Sequence, residues 1–180
     1  MTNRQLGFSL VELMIAVVIL GILLAAAVPS YRSWTENSQI RTAAESVQNG
    51  LQLARAEAAR GNTGVSFTLS GNDWSVDRLA IGAASGVFYT AAENVQSRSG
   101  NEGSKHAVIT STSNPVTFNG MGRTTAGVTF EVKNPTGGAC ATNTNSSGMR
   151  CLNVLVAPGG TIRMCDPALN GSGNSQACTP

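Results

Sequence analysis

The sequence predicts an α+β protein in which one long N-terminal helix, part transmembrane and part amphipathic, packs on a body of antiparallel β-sheet. Three observations predict it. Residues 8–28 are apolar except for Ser9, Glu12 and Gly21. Farther on, Ile40, Ala44, Val47, Leu51, Ala54 and Ala58 recur at helical spacing, with Arg41, Glu45, Gln52, Arg55 and Glu57 on the other faces. Beyond residue 60 the chain is crowded with Gly, Ser, Thr and Asn and carries short runs in which every second residue is apolar. The expected organisation is therefore a leader over 1–7, a transmembrane helix over 8–28, and a globular domain over 29–180 made of a helix (29–60) and a β-rich part (61–180).

The first helix, Phe8 to Val28, would be about 31 Å long, which matches the roughly 30 Å hydrocarbon core of a bilayer. Arg4 is the only charged side chain ahead of it, so the positive-inside bias keeps the amino terminus cytoplasmic and sends the body outward, toward the periplasm. A secretory signal would place its small-residue cleavage site after the apolar run, whereas here the small residue, Gly7, precedes it. Cleavage between Gly7 and Phe8 would leave the helix on the mature chain with a free amine at its start. Glu12 then needs a partner, because a carboxylate in hydrocarbon costs roughly 2.5 to 3.5 kcal/mol. The Phe8 amine stands four residues before it and therefore on the same helix face. The amine of an adjoining copy would do more, neutralising Glu12 and setting the register of packed helices.

Pro29 removes one helical donor, so a kink or local unwinding is expected there. Helix resumes over Ser38 to Arg60, and Gly61-Asn62 supplies the stop. Val65 to Leu69 and Trp74 to Val76 flank the turn Ser70-Gly71-Asn72 and read as a hairpin. Further strands are expected at Gly86 to Thr90, Ala107 to Ser111, Pro115 to Asn119, Val128 to Lys133, Cys151 to Ala157 and Gly160 to Cys165. The polar segments Ala91 to Ser104 and Pro135 to Arg150 read as surface loops.

All four cysteines, Cys140, Cys151, Cys165 and Cys178, fall near the C-terminal end, in a Gly/Asn/Thr-rich context that suits two disulfides made in an oxidising compartment. Four cysteines allow three connectivities, and the short loops favour Cys140 with Cys151 and Cys165 with Cys178. Zinc is disfavoured because no CxxC pair occurs and His106 is distant in sequence.

The stretch GFSLVELMIAVVILGILLAAAVPSY resembles the class III signal and first helix of type IV pilins and of type II secretion pseudopilins. The resemblance implies a pilin-like fold. It further implies a prepilin peptidase that cuts after Gly7 and N-methylates Phe8, an assembly role for Glu12, and a helix-weakening role for Pro29. It also implies other major and minor pilins as partners through the N-terminal helix, with residence in the inner membrane before assembly. A second resemblance covers nearly the whole chain. LQLARAEAARGNTGVSFTL, VTFNGMGRTT and GGTIRMCDP are similar to the GspH/FimT family of minor pilins and pseudopilins, and IRMCDP with the four cysteines leans toward the FimT side. The function this implies is a minor pilin of a type IV pilus, with a GspH-type pseudopilin of a type II secretion system as the alternative. Trp74 is followed by SVDRLAIG, without the family's second tryptophan and glycine, so a rearranged middle sheet is expected.

Catalysis is not expected. There is no GxSxG, Walker loop or HExxH, and no cofactor or metal is implied. His106 reads as a solvated loop residue and Gly120-Met121-Gly122 as a tight turn. The formal net charge of +2 makes no broad footprint for nucleic acid, so a DNA reading must rest on a local cluster. Some FimT-like proteins are thought to capture DNA through a GRxR motif. Gly160, Thr161, Ile162 and Arg163 stand in its place, with Thr161 where the motif has an arginine. The candidate DNA-binding residues are Lys133, Arg150 and Arg163, which would gather if the last strands are neighbours; dispersed solubilising charge is the favoured reading of them.

Overall fold

The computed structural model describes residues 7–80, 93–145, 148–169 and 173–178. A single helix, α1 (Leu10–Gly61), is followed by eight strands: β1 (Val65–Ser70), β2 (Asp73–Arg78), β3 (Glu93–Arg98), β4 (Val108–Ser111), β5 (Val116–Phe118), β6 (Val128–Lys133), β7 (Leu152–Val156) and β8 (Ile162–Cys165). The chain divides into two compact units after Thr35.

In the first unit the helix is exposed on every side, from Leu10 at 75% to Val28 at 48%. Apolar surface on this scale far exceeds what soluble proteins leave open, so lipid or neighbouring subunits must cover it. Its 18-residue window of highest hydropathy passes the length and composition test for a membrane span. Helical assignment continues through position 29, and the unwinding expected there is not seen. A proline removes only its own N–H from the ladder, and the run Ala25-Ala26-Ala27 just before it has the strongest helix propensity.

In the second unit the stripe read from the sequence is the buried face: Ile40, Ala44, Val47, Leu51, Ala54 and Ala58 are all fully buried. Small residues let the helix lie close to the sheets. At Gly50 an added Cβ would stand 2.8 Å from the Phe67 ring and 3.2 Å from Trp74, so this glycine is set by packing. The strands form two antiparallel four-stranded sheets, ordered β3-β2-β1-β5 and β4-β6-β7-β8. Phe67 of the first sheet meets Phe130 of the second edge to face at 5.6 Å, which joins both sheets in one core.

The β1–β2 hairpin closes at Ser70 and Asp73 around Gly71, whose φ of 61° lies in the left-handed region the turn requires. One amide ties the sheets together: Asn72 of the hairpin turn accepts from the Ile109 N–H and donates to the Ala107 carbonyl. Within the first sheet Asn114, just before β5, accepts from the Leu69 N–H and donates to the Leu69 carbonyl.

The segment Ala91 to Ser104, expected as loop, contains β3. Its residues are polar except Val95 and its outer edge is unpaired, so no apolar alternation marks it; the backbone ladder to β2 makes the strand, with a register shift between Val76 and Asp77. The strand expected at Gly86 to Thr90 lies outside the described residues. The other expected strands are present with ends moved by one or two residues, β1 and β2 longer and β4, β5, β7 and β8 shorter than expected, and Val128–Lys133 matches fully.

Candidate functional site

At the amino-terminal end, Gly7, Phe8 and Ser9 precede the helix. Nothing lies within 4 Å of a Cβ placed on Gly7, so the peptide after it is sterically open. Ser9 occupies the N-cap: its hydroxyl accepts from the Glu12 N–H at 3.2 Å, and its carbonyl accepts from the Leu13 N–H. Ser9-Leu10-Val11-Glu12 therefore has the residue order of a capping box, with Phe8 and Leu13 at the two positions of a hydrophobic staple. The same-face relation expected between Phe8 and Glu12 does not hold in this form of the chain, because the helix begins at Leu10. Glu12 thus carries two local assignments, the third helical position of a capped N-terminus and a carboxylate at the start of an apolar rod. The signal for the capping serine is S-x-x-E before an apolar run, which reasoning centred on membrane insertion misses.

Where the helix enters the β-rich unit, three of its polar side chains grip the loops. Glu36 accepts from the buried Asn134 amide and lies 3.4 Å from His106 Nδ1. Asn37 accepts from the Arg150 N–H at 2.9 Å, and Gln39 from the His106 N–H at 3.0 Å. The lone histidine, expected as a solvated loop residue, belongs to this clamp. At the other end of the helix Glu57 bridges Arg60 at 2.7 Å and Arg78 at 2.6 Å, while Arg78 also holds Glu93. The hydrogen bonds from Arg60 and then Arg78 pull the Glu57 carboxyl from 4.5 down to about 2, against a smaller desolvation effect. The bond to Glu57 correspondingly raises Arg78.

The cysteines pair as Cys140–Cys151 and Cys165–Cys178. Among the described residues no group of His, Cys, Asp or Glu is arranged to hold a metal.

The last strands are neighbours, as the DNA reading required, yet the three cations do not make a free patch. Lys133 lies 3.4 Å from Glu131. Arg150 donates to Asp166 at 2.8 Å. Arg163 donates to the carbonyls of Ala177 at 3.1 Å and Cys178 at 2.6 Å. Arg163 stands opposite Leu155 and hence level with Thr129, four residues from Lys133 along β6 or about 13 Å. Arg163 is thus part of the anchor of the C-terminal segment. Gly160 of the same motif also has a packing reason: its φ is 82°, and an added Cβ would collide with the Gly122 carbonyl oxygen.

Comparison with known proteins agrees with this geometry. The family model described as Type II transport protein GspH matches residues 43–160, and the prokaryotic N-terminal methylation motif matches residues 2–28. Fimbrial protein Q of Moraxella bovis is 29% identical over 60% of this chain and 79% of its own length. The type IV major pilin PilE of Neisseria gonorrhoeae is 33% identical over 47% of this chain, and the match spans 45% of PilE. Among solved structures, the type IV minor pilin FimU of Pseudomonas aeruginosa superposes with a TM-score of 0.52 at 17% identity, covering 73% of this chain and 91% of FimU. That likeness is one of fold.

Proposed function

Because the chain belongs to the family of the type II transport protein GspH, a family of type IV pilin-like proteins, we propose that it is a minor pilin with a structural, non-catalytic role. In this reading a prepilin peptidase removes residues 1–7 and methylates the new amine of Phe8. The helix then holds the precursor in the inner membrane with its body in the periplasm, until other pilins take it into a type IV pilus, at low copy or in the initiating complex. The observation that carries the reading is the all-round exposure of an apolar helix that contains one carboxylate, Glu12. Such a rod is soluble in lipid and equally in a bundle of like helices. The acid costs least where a cation meets it, and the amine of a neighbouring copy is that cation in the bundle.

Glu12→Ala is the test. The variant should insert in the membrane as well as wild type, or slightly better, and disappear from sheared filaments, while wild-type filaments yield the chain beginning at methylated Phe8 by mass spectrometry. Normal incorporation of the variant, or Met1 retained in assembled filaments, would remove the proposal. A second reading, a pseudopilin of a type II secretion system, is favoured by the description of the matching family. Deletion separates the two: loss of pili supports the first, and loss of export of folded proteins with pili intact supports the second. DNA capture is not part of the proposal, since Lys133, Arg150 and Arg163 each already face a protein acceptor.

A further inference from the structure

The outer face of the first sheet, opposite the helix, carries a site that the assembly role does not use. Inward positions of β1 and β2 are Val65, Phe67, Leu69, Trp74 and Val76, so the alternate residues face outward. The register aligns them in rows across three strands. Thr68 lies opposite Ser75, which lies opposite Ser97. Beside that row Ser70 lies opposite Asp73, whose Oδ1 accepts from the Ser99 hydroxyl at 3.2 Å and the Gly100 N–H at 2.8 Å. These residues line a cavity of about 310 Å³, with Trp74 and Arg98 completing its wall. Its shape is built by a close backbone approach: a Cβ on Gly100 would collide with the Asn72 carbonyl oxygen.

The chemistry of the lining selects the ligand. Thr68, Ser70 and Ser97 have no hydrogen-bond partner for their hydroxyls among the described residues, and they present donors and acceptors together. Asp73 keeps Oδ2 without a partner there, while Arg98 is 3.7 Å from Glu102. One carboxylate and one already paired guanidinium give an anion no net attraction. No aromatic face is offered either, because the Trp74 indole is turned inward and donates to Ser46 at 2.9 Å. A ligand that fits must match several hydroxyls with its own, carry no negative charge, and fill a space at the lower end of the small-molecule range. We propose that this cavity binds a neutral saccharide, one or two sugar rings at the end of a glycan, through hydrogen bonds to Thr68, Ser70, Asp73 and Ser97. Without aromatic stacking the affinity of a single site is weak.

The test is saturation-transfer NMR on the full chain in a sugar-free zwitterionic detergent. The probes are methyl glycosides of glucose, galactose, mannose and N-acetylglucosamine, with N-acetylneuraminic acid as the anionic comparator. Saturation should reach at least one neutral glycoside, and Thr68→Val with Ser97→Ala should weaken its binding about tenfold through loss of two hydroxyl contacts. Neither hydroxyl bonds within the protein, so melting should not change; if the double variant melts early, the exposed Ser97→Ala alone decides the matter with a smaller drop. No transfer to any neutral glycoside overturns the proposal, as does transfer to the anionic sugar alone, or transfer that Ser97→Ala leaves unchanged.

Discussion

Gly21 and Gly50 lie on the same helix, and comparing their surroundings separates the two units of this protein. A Cβ added at Gly21 meets nothing within 4 Å, whereas at Gly50 it meets the Phe67 and Trp74 rings. Up to Trp34 the described side chains are exposed, so what they do is decided by what covers them from outside. From Glu36 onward the fold is decided by internal contacts. A substitution in the first region should therefore register in assembly and hardly in the stability of the body, and one in the second should do the reverse. Glu12→Ala is the extreme case for the first region, since it should abolish incorporation and leave the melting of the β-rich unit alone.

The largest stability effect expected in the second region is at the C-terminal clamp. Cys165→Ser with Cys178→Ser opens the loop that joins β8 to residues 173–178, and loss of such a crosslink costs about 2–4 kcal/mol. Chemical denaturation of the full chain should show this as a lower midpoint. Arg163→Ala should then cost less in the disulfide-free background than in wild type, because both the bridge and the Arg163 guanidinium hold Ala177 and Cys178. Additive losses would mean that Arg163 acts elsewhere, and would reopen its availability to a ligand.

The paired glycines give the sharpest version of the comparison. By helix propensity alone, alanine at either place should stabilise by up to about 1 kcal/mol. At Gly50 the overlap with a fully buried ring reverses the sign, since overpacking costs about 1–3 kcal/mol. The expected result is a Tm lowered by a few degrees for Gly50→Ala and unchanged or raised for Gly21→Ala. If both variants are neutral, the helix does not sit against Phe67 as closely as described.

Legibility in the sequence follows the same division. The apolar rod, the buried stripe of the helix, and the strands β6 and β7 are readable because burial on one face imposes a period on the residues. The disulfide pairs follow from loop length. β3 is not readable, since an edge strand with polar residues on both faces has no period to show. The grip of Glu36, Asn37 and Gln39 on Asn134, Arg150 and His106 is also invisible: polar residues near the start of an amphipathic stripe look like a solvated face until the loops that meet them are in place. Arg163 shows the hazard of a motif taken alone, because its fork satisfies two main-chain carbonyls instead of standing free. The hydroxyl rows on the outer sheet need the register, which no single strand contains.

The smallest effect expected is also the one with a defined pH window. Glu57 sits near the end of α1 with its side chain 15% exposed, and the two arginines that hold it connect the helix to β2 and, through Arg78 and Glu93, to β3. Its folded pKa of about 2 lies below the ordinary 4.5, so the unfolded chain takes up the proton first as pH falls. The contribution is therefore complete above about pH 4.5, declines below it, and is gone once the pH passes about 2, where the carboxyl is protonated in both states. Exposure of Arg60, at 67% for its side chain, keeps the magnitude modest, since half of the network is screened by water. Glu57→Gln should lower the denaturation midpoint at neutral pH and show a flatter acid limb than wild type, with the two curves converging near pH 2. Curves that stay parallel across the whole window would mean that the helix end is held to β2 by packing of Ala54 and Ala58 alone, and the ion pairs would then be decoration on a joint made by burial.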